Sequence, residues 1–311
     1  LDALARHVDQ GGKRPGSIAV YLEPWHADVE TFIKARHPTT LPEQRAEHLN
    51  YALWTNDLFM ERVRSNGMWS LFCPGSSPEL VELVGNAFKE RYLLLESQNK
   101  FKKQVRAQEL WSMILKSQIE TGMPYLLYKD ACNLKSNQKN LGTLYSSNLC
   151  AEIVEYSDTK EYAVCTLASV ALPNFVDEVN KTFLFDKLID VMHTVVRNLN
   201  KVIDVTLYPV PETEYSNKKH RPMGIGVQGL ADVFFMLDIP FHSDDAAKIN
   251  KLIFETIYHA ALFESNVISM ERCQFFNTLK IAPFDISNQY YKTSTGESLK
   301  LTDEEYNKLH A

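Results

Sequence analysis

Strands alternating with helices predict an α/β fold with largely parallel strand pairing. Two observations carry that prediction. Short β-branched or apolar runs recur (Ser17–Leu22, Asn50–Trp54, Met68–Cys73, Tyr125–Tyr128 and Met223–Val227), and most are followed by a longer segment with apolar residues at helical spacing. The chain also lacks an internal repeat or a low-complexity stretch, so no solenoid or coiled coil competes. With 311 residues, 45% of them hydrophobic, the chain can bury a large core as one α/β domain or as two smaller ones.

Taken in order, the glycine-rich segment Gln10-Gly11-Gly12-Lys13-Arg14-Pro15-Gly16 precedes the first strand, Ser17–Leu22. Residues 26–36 read as a helix, with Trp25 in the core and His26 structural. Asn50–Trp54 is the second strand, and Asn56 is placed to N-cap a helix over 57–65. Met68–Cys73 is a strand stopped by Pro74-Gly75. Helices are expected over 79–97 and 106–120, then a strand over Tyr125–Tyr128 running into a polar loop through Asn140. Tyr162–Leu172 follows. Leu184–Val205 reads as an amphipathic helix with Leu188, Val191, Val195, Leu199 and Val202 on one face. Met223–Val227 and Gln228–Leu237 read as strand then helix, and 243–272 as a long helix. From Gln274 to Glu297 the polar text predicts little regular structure, and Leu301–Ala311 begins a charged helix.

Composition narrows the partners. The net charge of −6, with acids and bases interspersed, argues against a wholesale grip on DNA or an anionic membrane. No apolar run reaches the roughly 20 residues of a membrane span, and the start is not a signal peptide. Five widely spaced cysteines show no Cys-x-x-Cys pair and no zinc-type Cys/His spacing, which predicts a reduced, cytoplasmic protein. The sequon Asn180-Lys181-Thr182 has no secretory context. Both ends read as if cut from something longer.

The chemistry concentrates in Asn148-Leu149-Cys150-Ala151-Glu152, followed fifteen residues after Cys150 by Cys165. If 146–154 is extended, Asn148, Cys150 and Glu152 share one face, opposite Leu149, Ala151 and Ile153. An amide, a thiol and a carboxylate then reach one small substrate. The alternative is that Cys150 and Cys165 are simply small buried hydrophobes. In the opening loop, Gly11 and Gly12 permit close backbone approach, and Lys13 and Arg14 suit phosphate or a base edge; a plain surface turn is the competing reading. His220-Arg221-Pro222-Met223-Gly224-Ile225-Gly226 fits close helix–strand packing better than an anion site.

Together these strings resemble the large, catalytic subunit of class I ribonucleotide reductase, of the eukaryotic and viral kind. The matching text is Val8–Gly12 with Lys13–Gly16, Tyr21–His26, Asp57–Met60, Tyr128–Asp130, Lys135–Gln138, Ser147–Cys150 with Glu152-Ile153, and Ala163–Cys165. It continues through Tyr208–Glu212, His220–Pro222 and Gly226–Asp232. The match runs in order from about residue 6 to 270 and becomes loose beyond 273.

The resemblance implies a partial ten-stranded α/β barrel of two five-stranded parallel half-sheets, with the radical cysteine on a central finger loop and 274–311 divergent. It implies that Cys150 becomes a thiyl radical that abstracts the 3′ hydrogen of a ribonucleoside diphosphate, that Glu152 is the base at the 3′ hydroxyl, and that Asn148 binds the ribose. Cys165 would be one of two thiols ending as a disulfide, re-reduced by thioredoxin or glutaredoxin. The segment matching Asp9–Gly16 would be the specificity loop that reports ATP or dNTP effectors across a large-subunit homodimer, with Gln10 and Arg14 reaching the substrate base. The radical would come from a metal-containing small subunit, so this chain would need no metal of its own. Against the family pattern, the loop is one residue short between Gly12 and Lys13, and the second thiol, the regulatory domain and the radical-relay tyrosines have no match here. Tyr290-Tyr291 lacks the relay's surroundings. Two other readings stand beside this one: a catalytically degenerate homologue acting as a nucleotide- or partner-binding regulatory module, and a thiol hydrolase using Cys150 with a histidine.

Overall fold

The computed structural model describes residues 1–9, 11–278, 290–292 and 298–300. The chain divides into two compact units, Leu1–Asp158 and Thr159–Ala311. No helix among the described residues is long and apolar enough to cross a membrane.

The first unit opens with helix α1 (Asp2–His7) and strand β1 (Ile18–Leu22), then α2 (Val29–Lys34), β2 (Leu49–Thr55) and α3 (Asp57–Ser65). It continues with β3 (Met68–Leu71), α4 (Glu79–Glu82), α5 (Gly85–Ser97), β4 (Lys103–Arg106), α6 (Ala107–Thr121), β5 (Tyr125–Tyr128) and α7 (Lys129–Lys135). Strands β1, β2 and β5 form a parallel sheet in that order, with Tyr21 opposite Ala52 and Trp54 opposite Leu127. Strands β3 and β4 pair antiparallel.

Strand alternation gives the parallel sheet two unlike faces. Leu22, Leu53 and Leu126 lie on one face and pack with Val29 and Ile33 of α2 and with Leu110 and Ile114 of α6. Burying each such side chain is worth about 1.5–3 kcal/mol. The same core takes in Phe59, Trp69, Phe72, Phe88 and Tyr92. Trp69 stacks on Tyr92 at 4.6 Å, and the Tyr92 hydroxyl both accepts from Ser70 N–H and donates to Ser70 C=O. Trp25, 1% exposed, lies in this core as expected.

At the carboxyl ends of these strands, Lys129 is fully buried. Its Nζ donates to Glu23 Oε1 at 2.8 Å and to the Val81 carbonyl at 2.7 Å. Burial raises the Glu23 carboxyl above its ordinary value, and the Lys129 ammonium opposes that rise. The neighbouring Asp130 carboxylate accepts Asp57 N–H at 2.7 Å and Gly85 N–H at 2.6 Å, so it caps α3 and α5 together.

The second unit contains β6 (Leu167–Ala171), the short pair β7 (Val176–Asp177) and β8 (Thr182–Phe183), α8 (Phe185–Val205) and α9 (Pro211–His220). After these come β9 (Gly224–Gln228), α10 (Leu230–Met236), α11 (Asp244–Thr278), and the antiparallel pair β10 (Tyr290–Lys292) and β11 (Ser298–Lys300). Strands β6 and β9 are parallel, from Leu167 opposite Gly224 to Ala171 opposite Gln228. Leu188 and Met192 of α8 share a core with Ile253, Ile257 and Ala260 of α11. Arg221 forks onto Asp204 at 2.8 and 2.9 Å, tying the end of α9 to α8.

The α/β class with parallel pairing holds. No closed barrel forms among the described residues: the parallel sheets have three and two strands rather than five each. Several element expectations are corrected. The polar loop predicted after Tyr128 begins as helix α7, whose buried residues are the polar Lys129, Asp130 and Asn133, so no apolar stripe announces it. The helix expected over 79–97 is two helices, parted at Gly85 with φ +55°. Asn56 stands at the N-cap of α3 without a side-chain capping bond; Asp130 does that work. On α8 the buried stripe is Leu188, Met192, Val196, Leu199 and Ile203, and Val202 is exposed. The stretch 274–297, expected to be irregular, begins as the end of α11 and includes β10; residues 279–289, 293–297 and 301–311 lie outside the described residues.

Candidate active site

The sulfur, amide and carboxylate of Asn148-Leu149-Cys150-Ala151-Glu152 sit at the tip of a finger-like loop in the first unit. Its ascending arm leaves α7 and runs through 138–148; its descending arm is 153–158. The two arms are joined by side chains rather than by a strand ladder. Near the base, Tyr156 N–H donates to Gln138 Oε1 at 2.6 Å. Gly142 allows the arms to close, because a Cβ there would lie 2.6 Å from the Tyr156 ring. Near the tip, the Ser147 hydroxyl donates to the Ile153 carbonyl, and Ile153 N–H donates to Asn148 Oδ1 at 3.3 Å. Ile153 is buried beneath the tip.

Extended alternation over 146–154 does not occur. The backbone bends at residues 149–151, and Ala151 has φ +73°, in the left-handed region. An L-residue there costs on the order of 1 kcal/mol, so the ties across 147–153 over-determine the turn. The turn leaves Cys150 and Glu152 exposed at its apex and Asn148 half-buried at its shoulder. Cys150 is therefore not the small buried hydrophobe of the competing reading.

The ascending arm is fastened from several sides. Thr143 Oγ1 donates to the Glu82 carbonyl at 2.7 Å, and the Tyr145 hydroxyl donates to the Glu82 carboxylate. Asn133 brackets Leu144, accepting its N–H at 2.8 Å and donating to its C=O at 3.1 Å. Trp54 Nε1 donates to the same carbonyl at 3.1 Å. The Tyr21 hydroxyl donates to the Asn148 carbonyl at 2.6 Å. Tyr21 and Trp54 come from the sheet face opposite the helices and meet edge to face at 6.2 Å. One face of the sheet thus carries the helical core and the other holds the cysteine loop.

On the descending arm, burial alone pushes the Glu155 carboxyl up to about 7. Burial likewise raises the Tyr21 hydroxyl above its ordinary value.

Cys165 lies in the second unit, exposed, two residues before β6. The next residue, Thr166, is buried; its carbonyl accepts Gly224 N–H at 2.9 Å, and Asn217 Nδ2 donates to its hydroxyl at 3.3 Å. Four residues before Cys165, Glu161 places its Oε2 2.7 Å from His220 Nε2, and both side chains are largely buried. Among the described residues no disulfide joins the five cysteines.

The opening loop is a hairpin-like turn in the first unit. Gly16 N–H donates to the Val8 carbonyl at 2.7 Å, and Asp9 bridges Pro15. Gly11 and Gly12 both have positive φ (+66° and +73°), with open space where a side chain would stand. Asp9, Lys13 and Arg14 are exposed. Gln10 lies outside the described residues.

Reading from sequence missed the residues that hold the finger: Tyr21, Trp54, Asn133 and Gln138. Tyr21 begins one of the matching strings, but its partner is 127 positions away. No local pattern links the two.

A family description, ribonucleotide reductase, barrel domain, matches residues 1–308. The chain is 56% identical over 269 residues to the ribonucleoside-diphosphate reductase large chain of Neurospora crassa, covering 86% of this chain and 29% of that protein. It is 55% identical over 268 residues to the ribonucleoside-diphosphate reductase large subunit of Danio rerio, covering 86% and 34%. With the vaccinia virus large subunit it is 54% identical over 259 residues, covering 83% and 33%. The chain spans about a third of the length of these curated relatives.

Proposed function

This chain belongs to the family of ribonucleotide reductase barrel domains, and from that premise we propose that it carries the radical thiol of a ribonucleoside-diphosphate reductase large subunit. The supporting observation is the fingertip: an exposed thiol on a strained, tied turn, with a carboxylate and an amide two residues to either side.

In this reading the Cys150 thiyl radical takes the 3′ hydrogen of a ribonucleoside diphosphate, and the Glu152 carboxylate takes the 3′ hydroxyl proton. The Asn148 amide donates to the ribose. Its Oδ1 also ties back to Ile153, so substrate contact and loop shape are coupled. Cys165 is one thiol of the dithiol that supplies two electrons and ends as a disulfide, restored by thioredoxin or glutaredoxin. A metal-containing small subunit supplies the radical. The rest of the longer polypeptide completes the ten-stranded barrel and supplies the second thiol, and the enzyme acts in the cytoplasm. Asp9, Gln10, Gly11, Gly12, Lys13 and Arg14 form the specificity loop across a homodimer. The adjacent positive-φ glycines suit a backbone that changes shape with the nucleotide effector.

The test places Cys150→Ser in the full-length large subunit, assayed with its small subunit and a dithiol reductant. Deoxynucleotide formation is expected to fall by at least a thousandfold while nucleotide binding, followed by equilibrium dialysis, survives. Undiminished turnover would refute the assignment.

A further inference from the structure

We propose that Tyr21 is a positioning residue for the cysteine finger, its hydroxyl being the last fixed point before Cys150. The proposal rests on the reading above only in taking Cys150 as the reacting thiol. The ascending arm is held at Thr143, Leu144 and Tyr145 by α4 and its C-terminal end, by α7 and by Trp54. Beyond Tyr145, the bond from Tyr21 to the Asn148 carbonyl at 2.6 Å ties the arm to the sheet. The residues that follow, Leu149 to Glu152, form the bend.

Three features suit Tyr21 to this task. It lies on β1, the edge strand whose ladder with β2 ties its backbone to the three-stranded sheet. Its ring is braced edge-on by Trp54, and its strand neighbour Ala52 is small and wholly buried. Its phenol is an O–H donor throughout the neutral range, and burial moves its ionisation further from that range. The acceptor is a main-chain carbonyl two residues before the sulfur. Fixing it fixes the origin of the turn, and with it the Asn148 side chain whose Oδ1 receives Ile153 N–H. A displacement of about 1 Å at a reacting group can cost on the order of a hundredfold in rate.

Tyr21→Phe removes the hydroxyl and keeps the ring against Trp54. Amide hydrogen exchange on the 311-residue chain reads the anchor directly. We expect the Ile153 amide to exchange about 5–10 times faster in the variant, while the Leu144 amide, held by Asn133, keeps its rate. In the full-length large subunit with its small subunit, kcat is expected to fall about tenfold with KM unchanged. Unchanged Ile153 exchange, or equal acceleration at Leu144, overturns the proposal, because the hydroxyl then either holds nothing or merely stabilises the unit as a whole. A kcat equal to that of the parent enzyme overturns it too. Failure of the functional reading is separate: if Cys150→Ser stays active, the radical assignment falls while the exchange result for Tyr21 stands.

Discussion

Glu155 shows how a single titratable residue links the finger to pH. Its carboxyl has an ordinary value of 4.5 and is pushed up to about 7 because burial penalises the charged form. The folded state therefore prefers the protonated acid. The stability this confers is complete below about 4.5 and is lost as pH rises through about 7. Glu155→Gln should unfold at nearly the parent's urea midpoint at pH 5 and at a higher midpoint at pH 8, followed by tryptophan fluorescence. A parent protein whose midpoint is the same at both pH values would refute this account. At the same scale, the Asn-x-Cys-x-Glu pattern was legible as a reactive loop because three chemically distinct side chains crowd into five positions. The bend was not legible: nothing in Ala151 itself asks for φ +73°, and the ties from Ser147 and Asn148 to Ile153 impose it.

Among elements, hydrophobic period was enough to find β1, β2, β5, α8 and α11, since each contributes apolar side chains to a core. It failed at α7, which buries a lysine, an aspartate and an asparagine, and it left β4 unread, a strand whose one apolar residue is Val105. The work of α7 is long-range. Asp130 reaches residues 73 and 45 positions away to start α3 and α5, and Lys129 reaches Glu23 across 106. Asp130→Ala should therefore destabilise the first unit by about 2–4 kcal/mol, as two caps are lost at once. Lys129→Met should cost about 3–5 kcal/mol by stranding Glu23, and Glu23→Leu in the same chain should recover most of that loss. Urea unfolding of the three variants checks all of this. A Lys129→Met protein as stable as its parent would show that the pair is not buried.

For the molecule as a whole, the two units have separate cores and unequal reporters. All four tryptophans, Trp25, Trp54, Trp69 and Trp111, belong to the first unit, whereas the two longest helices, α8 and α11, belong to the second. Urea unfolding followed by fluorescence should thus trace the first unit, and circular dichroism at 222 nm should be weighted toward the second. The two curves are expected to differ in midpoint, and coincident curves would show one cooperative block. The fastening of the finger has one more implication. Trp54, Asn133 and Tyr21 all engage main-chain atoms of Leu144 and Asn148, so at these points the scaffold grips the loop whatever side chains stand there. The placement of residue 150 thus leans on its neighbours' backbone and not on its own side chain. A selenocysteine, a serine or an unnatural nucleophile grafted at position 150 inherits the same address.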